Sequence, residues 1–451
     1  MISLVILQND LRIIDNPALF YAGKNDRDIV VVYWQEEPIG QASLVWLQNA
    51  FNDLKNSLEF YNIPLFYCPN SSFEHMVKQI NQTEPIEVIY HNDIDRLPNL
   101  SLFKEIKTEI LYPNWLYYQA KDYRQFKICA ALWKYSISNL EKPKAVLPVN
   151  LKKQKPLNIL IDKIRQNNLF VFPKIDQRPW VEQTIKNWNP SEKGAQNRWN
   201  DFRKNIIYDY NQGRDLPYKD NTSKLSPYLR FGQISIRQIW QDLTDINDNF
   251  MGFEKFINEI AWREFAYHLQ QLNQDINSKP LNKKFTNFPW IENETFMLAW
   301  QQGKTGYPII DAGMRQLWHT GWMHNRVRMI VASFLVKNLL IPWQKGERWF
   351  FDTLFDGDRY ANTMNWQWVA GCGTDTAPYF RIFNPTLQSQ KFDPLGDYIK
   401  TWVPELRKIS INDINAPWKL GIFRPKEYPS PIVDLQKSRQ KALEAYDLIK
   451  S

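Results

Sequence analysis

Four short apolar runs, at residues 2–7, 28–34, 63–68 and 86–90, open this chain and leave it few choices of fold. Each has the length of a strand buried on both faces, and each is too short to cross a membrane. Between the second and third, residues 40–61 carry Leu44, Leu47, Phe51, Leu54 and Leu58 at helical spacing. Strands that alternate with helices predict a parallel sheet covered by helices on both faces. No G-x-G-x-x-G follows the first run, so the dinucleotide fingerprint is missing here. The carboxyl edge of such a sheet suits a small planar ligand, but nothing in the sequence selects one.

From about Ser191 the pattern turns helical, with candidates at 253–273, 313–317, 326–340 and 346–354 and a short closing helix at 437–451. Between sheet and helices, residues 141–173 are rich in Pro and Lys, with Lys142, Lys144, Lys152, Lys153, Lys155 and Lys163. This stretch reads as a long, partly ordered connector, solvated rather than bound to DNA. The expected architecture is an α/β domain with a Rossmann-like parallel sheet over 1–130, a linker over 131–195 and an all-α domain over 196–451.

At 451 residues, 44% hydrophobic and 23% charged, the chain is expected to be a soluble globular protein of two or three domains. The net charge of +8 admits a polyanion partner, nucleic acid first, although charge alone equally suits a mildly basic enzyme. Cys68, Cys129 and Cys372 lie far apart, so neither a disulfide framework nor a zinc or iron–sulfur site follows. No metal is expected, and a reducing, intracellular compartment fits. Hydrolase, zincin and P-loop signatures are absent.

Chemistry-bearing residues gather in the helical part. Thr222-Ser223-Lys224-Leu225-Ser226-Pro227 offers hydroxyls and free N–H groups ahead of a helix, a cradle for phosphate or a simple N-cap. Glu259 and Trp262, at i and i+3, share a helix face and could bind a nucleobase, against a solvated Glu259 with Trp262 in the core. Arg326 and Arg328 lie two apart, so one can meet a pocket carboxylate and the other an external phosphate; His324 beside them reads as structural. Residues 356–384 collect Asp356, Asp358, the amide Asn362 and the rings of Trp366 and Trp368. That span suits one wall of a pocket for planar groups. Nine of the 19 Trp lie between 262 and 368, which suggests stacking surfaces or an electron route.

Together with Gly213-Arg214-Asp215, Gly-Lys-Thr-Gly-Tyr-Pro at 303–308 and Gly-Trp-Met-His-Asn-Arg-Val-Arg-Met at 321–329, these motifs closely resemble the photolyase/cryptochrome family. The nearest likeness is to class I cyclobutane pyrimidine dimer photolyases. The match spans the helical part and, more loosely, Asn9-Asp10-Leu11-Arg12 and Asp15-Asn16-Pro17-Ala18-Leu19. The resemblance implies that the all-α domain binds flavin adenine dinucleotide (FAD). Tyr210, Thr222, Ser223, Lys224, Leu225 and Ser226 would hold its phosphates and ribityl chain, while Trp262, Arg263, Asn325, Arg328, Asp356, Gly357 and Asp358 would line the rest. Asn362 would face flavin N5 and favour the reduced flavin. Glu259, Trp262, Asn325, Met329 and Trp368 would contact a lesion flipped from the duplex, photolyases being a known example of base flipping. Arg214, Arg326 and Arg381 would meet DNA phosphates, and Trp366, Trp343 and Trp290 would carry electrons to the flavin.

The implied activity is light-driven repair of cyclobutane pyrimidine dimers in UV-damaged DNA by a monomer with no membrane association. Asn325 and Met329 stand where (6-4) photolyases have histidines, which argues against that substrate. The chain departs from the family pattern after the fourth run, at 91–96, and at Lys121–Lys127, where an antenna would be held. A second chromophore is therefore open between folate, deazaflavin, flavin mononucleotide and none. The alternative function is a cryptochrome-type blue-light photoreceptor.

Overall fold

The computed structural model describes residues 1–92, 106–111, 116, 126–140, 145–167, 172–175, 183–245, 251–376 and 380–450. The antenna-loop positions 93–96 and 121–125, with Lys142 and Lys144, lie outside the described residues. Five parallel strands form one sheet: β1 (Ile2–Leu7), β2 (Asp28–Gln35), β3 (Leu65–Pro69), β4 (Ile86–His91) and β5 (Lys107–Ile110), in the order β3-β2-β1-β4-β5. Every residue of β1 is buried: Val5 and Leu7 enter the core on one face, Ile2, Leu4 and Ile6 the core on the other. That two-sided burial is why the run reads as continuously apolar rather than alternating. β5 escaped the sequence reading because Lys-Thr-Glu-Ile has no apolar run; its Lys107–Glu109 pair marks a charged sheet edge.

Helices α1 (Pro17–Gly23), α2 (Gln41–Glu59) and α3 (Phe73–Thr83) connect the strands. Asn16 caps α1 through the N–H of Leu19, and Pro17 occupies its first turn. Then follow α4 (Cys129–Asn139) and α5 (Asn158–Gln166). The last corrects the solvated-connector expectation: Leu160 and Ile164 are wholly buried beneath the sheet. Burying two such side chains is worth about 3–6 kcal/mol, enough to dock the helix. Lys163 on this helix and Lys152, Lys153 and Lys155 ahead of it are exposed, Lys152 paired with Asp26.

The remainder is mostly helical. The elements that build the site are α6 (Glu192–Asp201), α7 (Ser226–Arg230), α8 (Met251–Leu272), α9 (Pro308–Thr320), α10 (Asn325–Ser333), α11 (Trp343–Thr353) and α12 (Arg359–Ala370); α13 (Leu435–Lys450) closes the chain. The expected helix at 326–340 is α10 followed by a π-helical turn over Phe334–Asn338. The expected helix at 313–317 is the middle of a longer one that begins at Pro308 and stops at Gly321, whose φ of 64° is left-handed.

Sheet and helices are joined by buried polar groups and close backbone contact. Arg12 is fully buried and donates to the carbonyls of Gly232 and Asp15, both at 2.8 Å. Asp15 in turn pairs with buried Arg237 at 3.0 Å and accepts from Ser235 and the Leu147 N–H. Because the ions are hydrogen-bonded on every side, the pair escapes the usual cost of a buried charge. Gly232 turns beside them at φ +65°, and a methyl group there would lie 1.8 Å from the Asn9 carbonyl oxygen. Gly40 meets the Phe351 carbonyl in the same way, at 1.9 Å. Gly232→Ala is expected to destabilise the fold by about 1–3 kcal/mol. A urea midpoint equal to that of the parent would show that the join yields at this point.

Candidate cofactor and substrate site

Helices α7, α8 and α10 are tied together by a closed circuit of side chains. Ser226 of α7 donates to Asp356, which accepts a two-pronged bond from Arg328 of α10 at 3.0 and 2.8 Å. Two residues earlier on α10, Arg326 pairs with Asp215 at 2.8 Å. The neighbouring Arg214 pairs with Glu259 of α8 at 2.7 Å. Farther along α8, Tyr267 donates its hydroxyl to Asp358 at 2.7 Å. Arg230 of α7 lies 3.9 Å from the same carboxylate oxygen, which closes the circuit. The two arginines of α10 do point different ways, as their spacing predicts, but both meet carboxylates.

The hydroxyl loop ahead of α7 is held from behind. Arg198 of α6 donates to the carbonyls of Thr222 at 2.6 Å and Ser223 at 2.8 Å. Leu225 roots the loop in the core, and Tyr210 is buried nearby against Phe202 and Phe256. Lys224 takes a left-handed φ of 49° and pairs with Asp220 at 2.7 Å. Among the described residues, the buried Thr222 hydroxyl has no hydrogen-bond partner, and the buried Arg230 Nε has none within hydrogen-bond distance although Asp358 lies at 3.9 Å. Buried polar groups are almost always hydrogen-bonded, so a hydroxyl cradle with an unmatched hydroxyl fits an oxygen-rich anion such as a diphosphate. The residues present therefore suit FAD.

Asp358 caps α12, accepting from the N–H groups of Tyr360 at 3.0 Å and Ala361 at 2.8 Å. Gly357 lets this segment approach the Phe351 carbonyl, which a methyl group would meet at 2.8 Å. In the first turn of α12, Asn362 donates its amide nitrogen to the Glu347 carbonyl at 2.9 Å and to its carboxylate at 3.0 Å. With the nitrogen committed twice, the amide oxygen is the end left to accept from a ligand. Burial pushes the Glu347 carboxyl above its ordinary pKa. Trp366 and Trp343 are buried in one core, with Trp290 partly buried against it. Trp366 makes edge contacts with Phe350 at 5.0 Å and Trp300 at 6.2 Å. A methyl group on Gly346 of α11 would lie 2.2 Å from the Trp366 ring, so that position must stay bare.

Trp262 is partly buried against Phe265, and Arg263 pairs with Glu264 at 3.1 Å while lying over the Tyr267 ring. Asn325 is exposed at the start of α10, and the Met329 sulfur sits 3.8 Å from Arg326. Trp368 donates to the Asp375 carbonyl at 2.8 Å and shares a small cavity with Arg381, which is exposed over the Phe383 ring. Glu259 is partly exposed and held by Arg214 rather than standing alone. Arg214 and Arg326, expected at DNA phosphates, are each paired with a carboxylate and are 19% and 18% exposed. Sequence reading missed Arg198, Asp215, Tyr267 and Glu347, whose partners lie far off in sequence; only Asp215, inside Gly-Arg-Asp, carried a local signal.

Among the described residues, no cluster of three or more metal-ligating side chains occurs, and no helix is long and apolar enough to cross a membrane. The three cysteines are buried and unbonded.

This geometry has counterparts in known proteins. Residues 3–99 match the family model described as DNA photolyase, and residues 256–448 match that of the FAD binding domain of DNA photolyase. The chain belongs to the photolyase/cryptochrome family. Among its relatives, the deoxyribodipyrimidine photo-lyase of Agrobacterium fabrum is 36% identical, with 99% of this chain and 98% of the relative covered. A bacterial class III photolyase from Agrobacterium tumefaciens superposes with a TM-score of 0.87 at 35% identity, covering 100% of this chain and 98% of the other. A cryptochrome from Synechocystis superposes with a TM-score of 0.82 at 26% identity, covering 98% and 99%. The motifs resemble class I photolyases, whereas the superposed Agrobacterium tumefaciens photolyase is of class III.

His324 positions the start of α10: its Nδ1 accepts the Arg326 N–H at 3.2 Å. Burial holds its pKa down at about 4, with Arg326, Arg328 and Arg214 adding to the effect and Asp215 opposing it. A histidine kept neutral in the fold contributes stability that is complete above its unfolded pKa of about 6.5. That contribution is lost as pH falls from there towards 4, at about 1 kcal/mol per pH unit. His324→Asn keeps a capping oxygen and cannot titrate. Urea midpoints at pH 7.5 and 5 should differ less in this variant than in the parent; an unchanged difference would assign the acid sensitivity elsewhere.

Proposed function

We propose that the protein repairs cyclobutane pyrimidine dimers in DNA with light, using FAD. The observation that supports this reading is the closed circuit through α7, α8 and α10, which links Ser226, Asp356, Glu259 and Asp358. When bound, FAD would supply light-driven one-electron chemistry, and the residues that would hold it are those of the hydroxyl loop and the Arg328–Asp356 pair.

The chain's own residues bind, orient and exclude water. Thr222, Ser223 and Ser226 present hydroxyls to a diphosphate, and Lys224 adds charge. Arg328 and Asp356 form a near-neutral but strongly polar pair that would line the ring system of a bound flavin. Asn362, turned by Glu347, offers its carbonyl oxygen to a ring N–H, which favours the reduced form. Trp262 and Trp368 give the flipped bases apolar faces, with Met329 and Asn325 at the edge, and Glu259 accepts from a base N–H. Trp366, Trp343 and Trp290 form the electron route by which the flavin is reduced. The net charge of +8 draws the protein to DNA in a salt-dependent manner. The fold likeness to a cryptochrome supports a second reading, a blue-light photoreceptor that signals through a partner.

Chemically reduced protein mixed with UV-damaged oligothymidine should restore thymine absorbance under blue light and not in the dark. A protein that holds photoreducible flavin yet restores nothing would move the reading to the photoreceptor. Asp356→Asn should lower flavin occupancy after purification at least several-fold, because Arg328 and Ser226 lose a shared partner. Full occupancy in that variant would remove Asp356 from cofactor binding.

A further inference from the structure

The four central groups of the circuit alternate in sign: Glu259, Arg214, Asp215, Arg326. The carboxylates are the more exposed members. Glu259 is 35% exposed against 19% for Arg214, and Asp215 is 36% exposed against 18% for Arg326. DNA approaching this face therefore meets the carboxylates before the guanidinium groups. Both arginines are also fixed from the side, Arg214 over the Tyr210 ring at 5.4 Å and Arg326 over the Phe392 ring at 4.5 Å. Arg326 keeps one buried Nε donor with no protein partner. Arg381 differs: it is exposed, and no carboxylate among the described residues lies within salt-bridge distance.

At the guanidinium nitrogens now bonded, a phosphate takes Arg214 by replacing the Glu259 carboxylate and Arg326 by replacing that of Asp215. An arginine–phosphate fork is worth about as much as an arginine–carboxylate pair, so the exchange gains little by itself. Its balance depends on what the displaced carboxylate does next. Glu259 finds a new hydrogen bond when a flipped base stands in the site. Over intact duplex it finds only water.

We propose that Asp215 and Glu259 are internal stand-ins for DNA phosphates, which keep Arg326 and Arg214 from the backbone of intact DNA until a flipped lesion gives Glu259 another partner. The proposal rests on the repair reading and adds to it a specificity-determining residue, Asp215. Phosphate contact and base contact become coupled, since both draw on the breaking of one Arg214–Glu259 pair. Intact DNA would be held by Arg381 and surface lysines alone.

The test is the salt dependence of binding to a duplex with one thymine dimer and to the same duplex undamaged, for the flavin-loaded protein. Each phosphate neutralised steepens the log–log slope by about 0.9. The parent should show a steeper slope on damaged than on undamaged DNA, by about one to two contacts. Asp215→Asn should raise affinity for undamaged DNA about two- to fivefold at low salt. It should also steepen that slope towards the damaged value, and leave the damaged slope as it was. Glu259→Gln should raise affinity for undamaged DNA and steepen that slope in the same way through Arg214, while weakening binding to damaged DNA because its contact to the flipped base is altered, and it gives an independent readout should the first variant lose flavin. Equal slopes for the two duplexes in the parent would overturn the exchange. A parallel shift of both slopes would reduce Asp215 to general surface charge. Weaker binding of both duplexes would make it a plain support for the arginines. A parent that neither prefers the dimer nor restores it in light would remove the repair reading itself, whereas equal slopes in a protein that does repair would remove the exchange alone.

Discussion

The Asp356 carboxylate is the tie on which the rest of the site depends. It precedes α12 by three residues and receives Arg328 from α10 and Ser226 from α7. Three separate segments thus take their positions from two oxygen atoms that are only slightly exposed. A bidentate arginine fixes angle as well as distance, so α10 cannot rotate without breaking the pair. The same rotation would carry Arg326, Met329 and the exposed Asn325 away from their places. The geometry of the candidate site is in this way set by backbone elements rather than by flexible side chains.

Much of the fold was legible from periodicity. The four apolar runs became β1 to β4 with ends shifted by at most two residues, because strands buried on both faces leave an unbroken apolar signature. β5 and α5 were missed for opposite reasons. A four-residue charged edge strand has no pattern to detect, and two apolar residues among lysines look like a solvated linker until a sheet stands above them. In the site, the residue types were readable while their partners were not. Arg328 and Asp356 were both picked out by motif likeness. Arg198 behind the hydroxyl loop and Glu347 behind Asn362 did not, since a supporting residue is defined by a tertiary contact and carries no local mark.

The charge of the molecule takes on a different meaning at the site than in the totals. A net +8 suggests arginines waiting on the surface. Two of the three arginines expected at DNA are instead paired inside the circuit, and only Arg381 is open. Long-range attraction is a property of net charge and works regardless of pairing, whereas contact energy depends on which guanidinium groups are available. The two roles are divided between different residues here.

The join between sheet and helices has one more consequence. At Gly232 and Gly40 the two parts touch main chain to main chain, with no room for even a methyl group. Contacts of that kind do not adapt, because carbonyl groups cannot change rotamer as side chains do. A hybrid assembled from the sheet of one relative and the helices of another would therefore work only between partners that keep both glycines and the same loop paths opposite them. The α/β part is thus poorly suited to exchange as a free-standing module, and its history should be tied to that of the helices it touches.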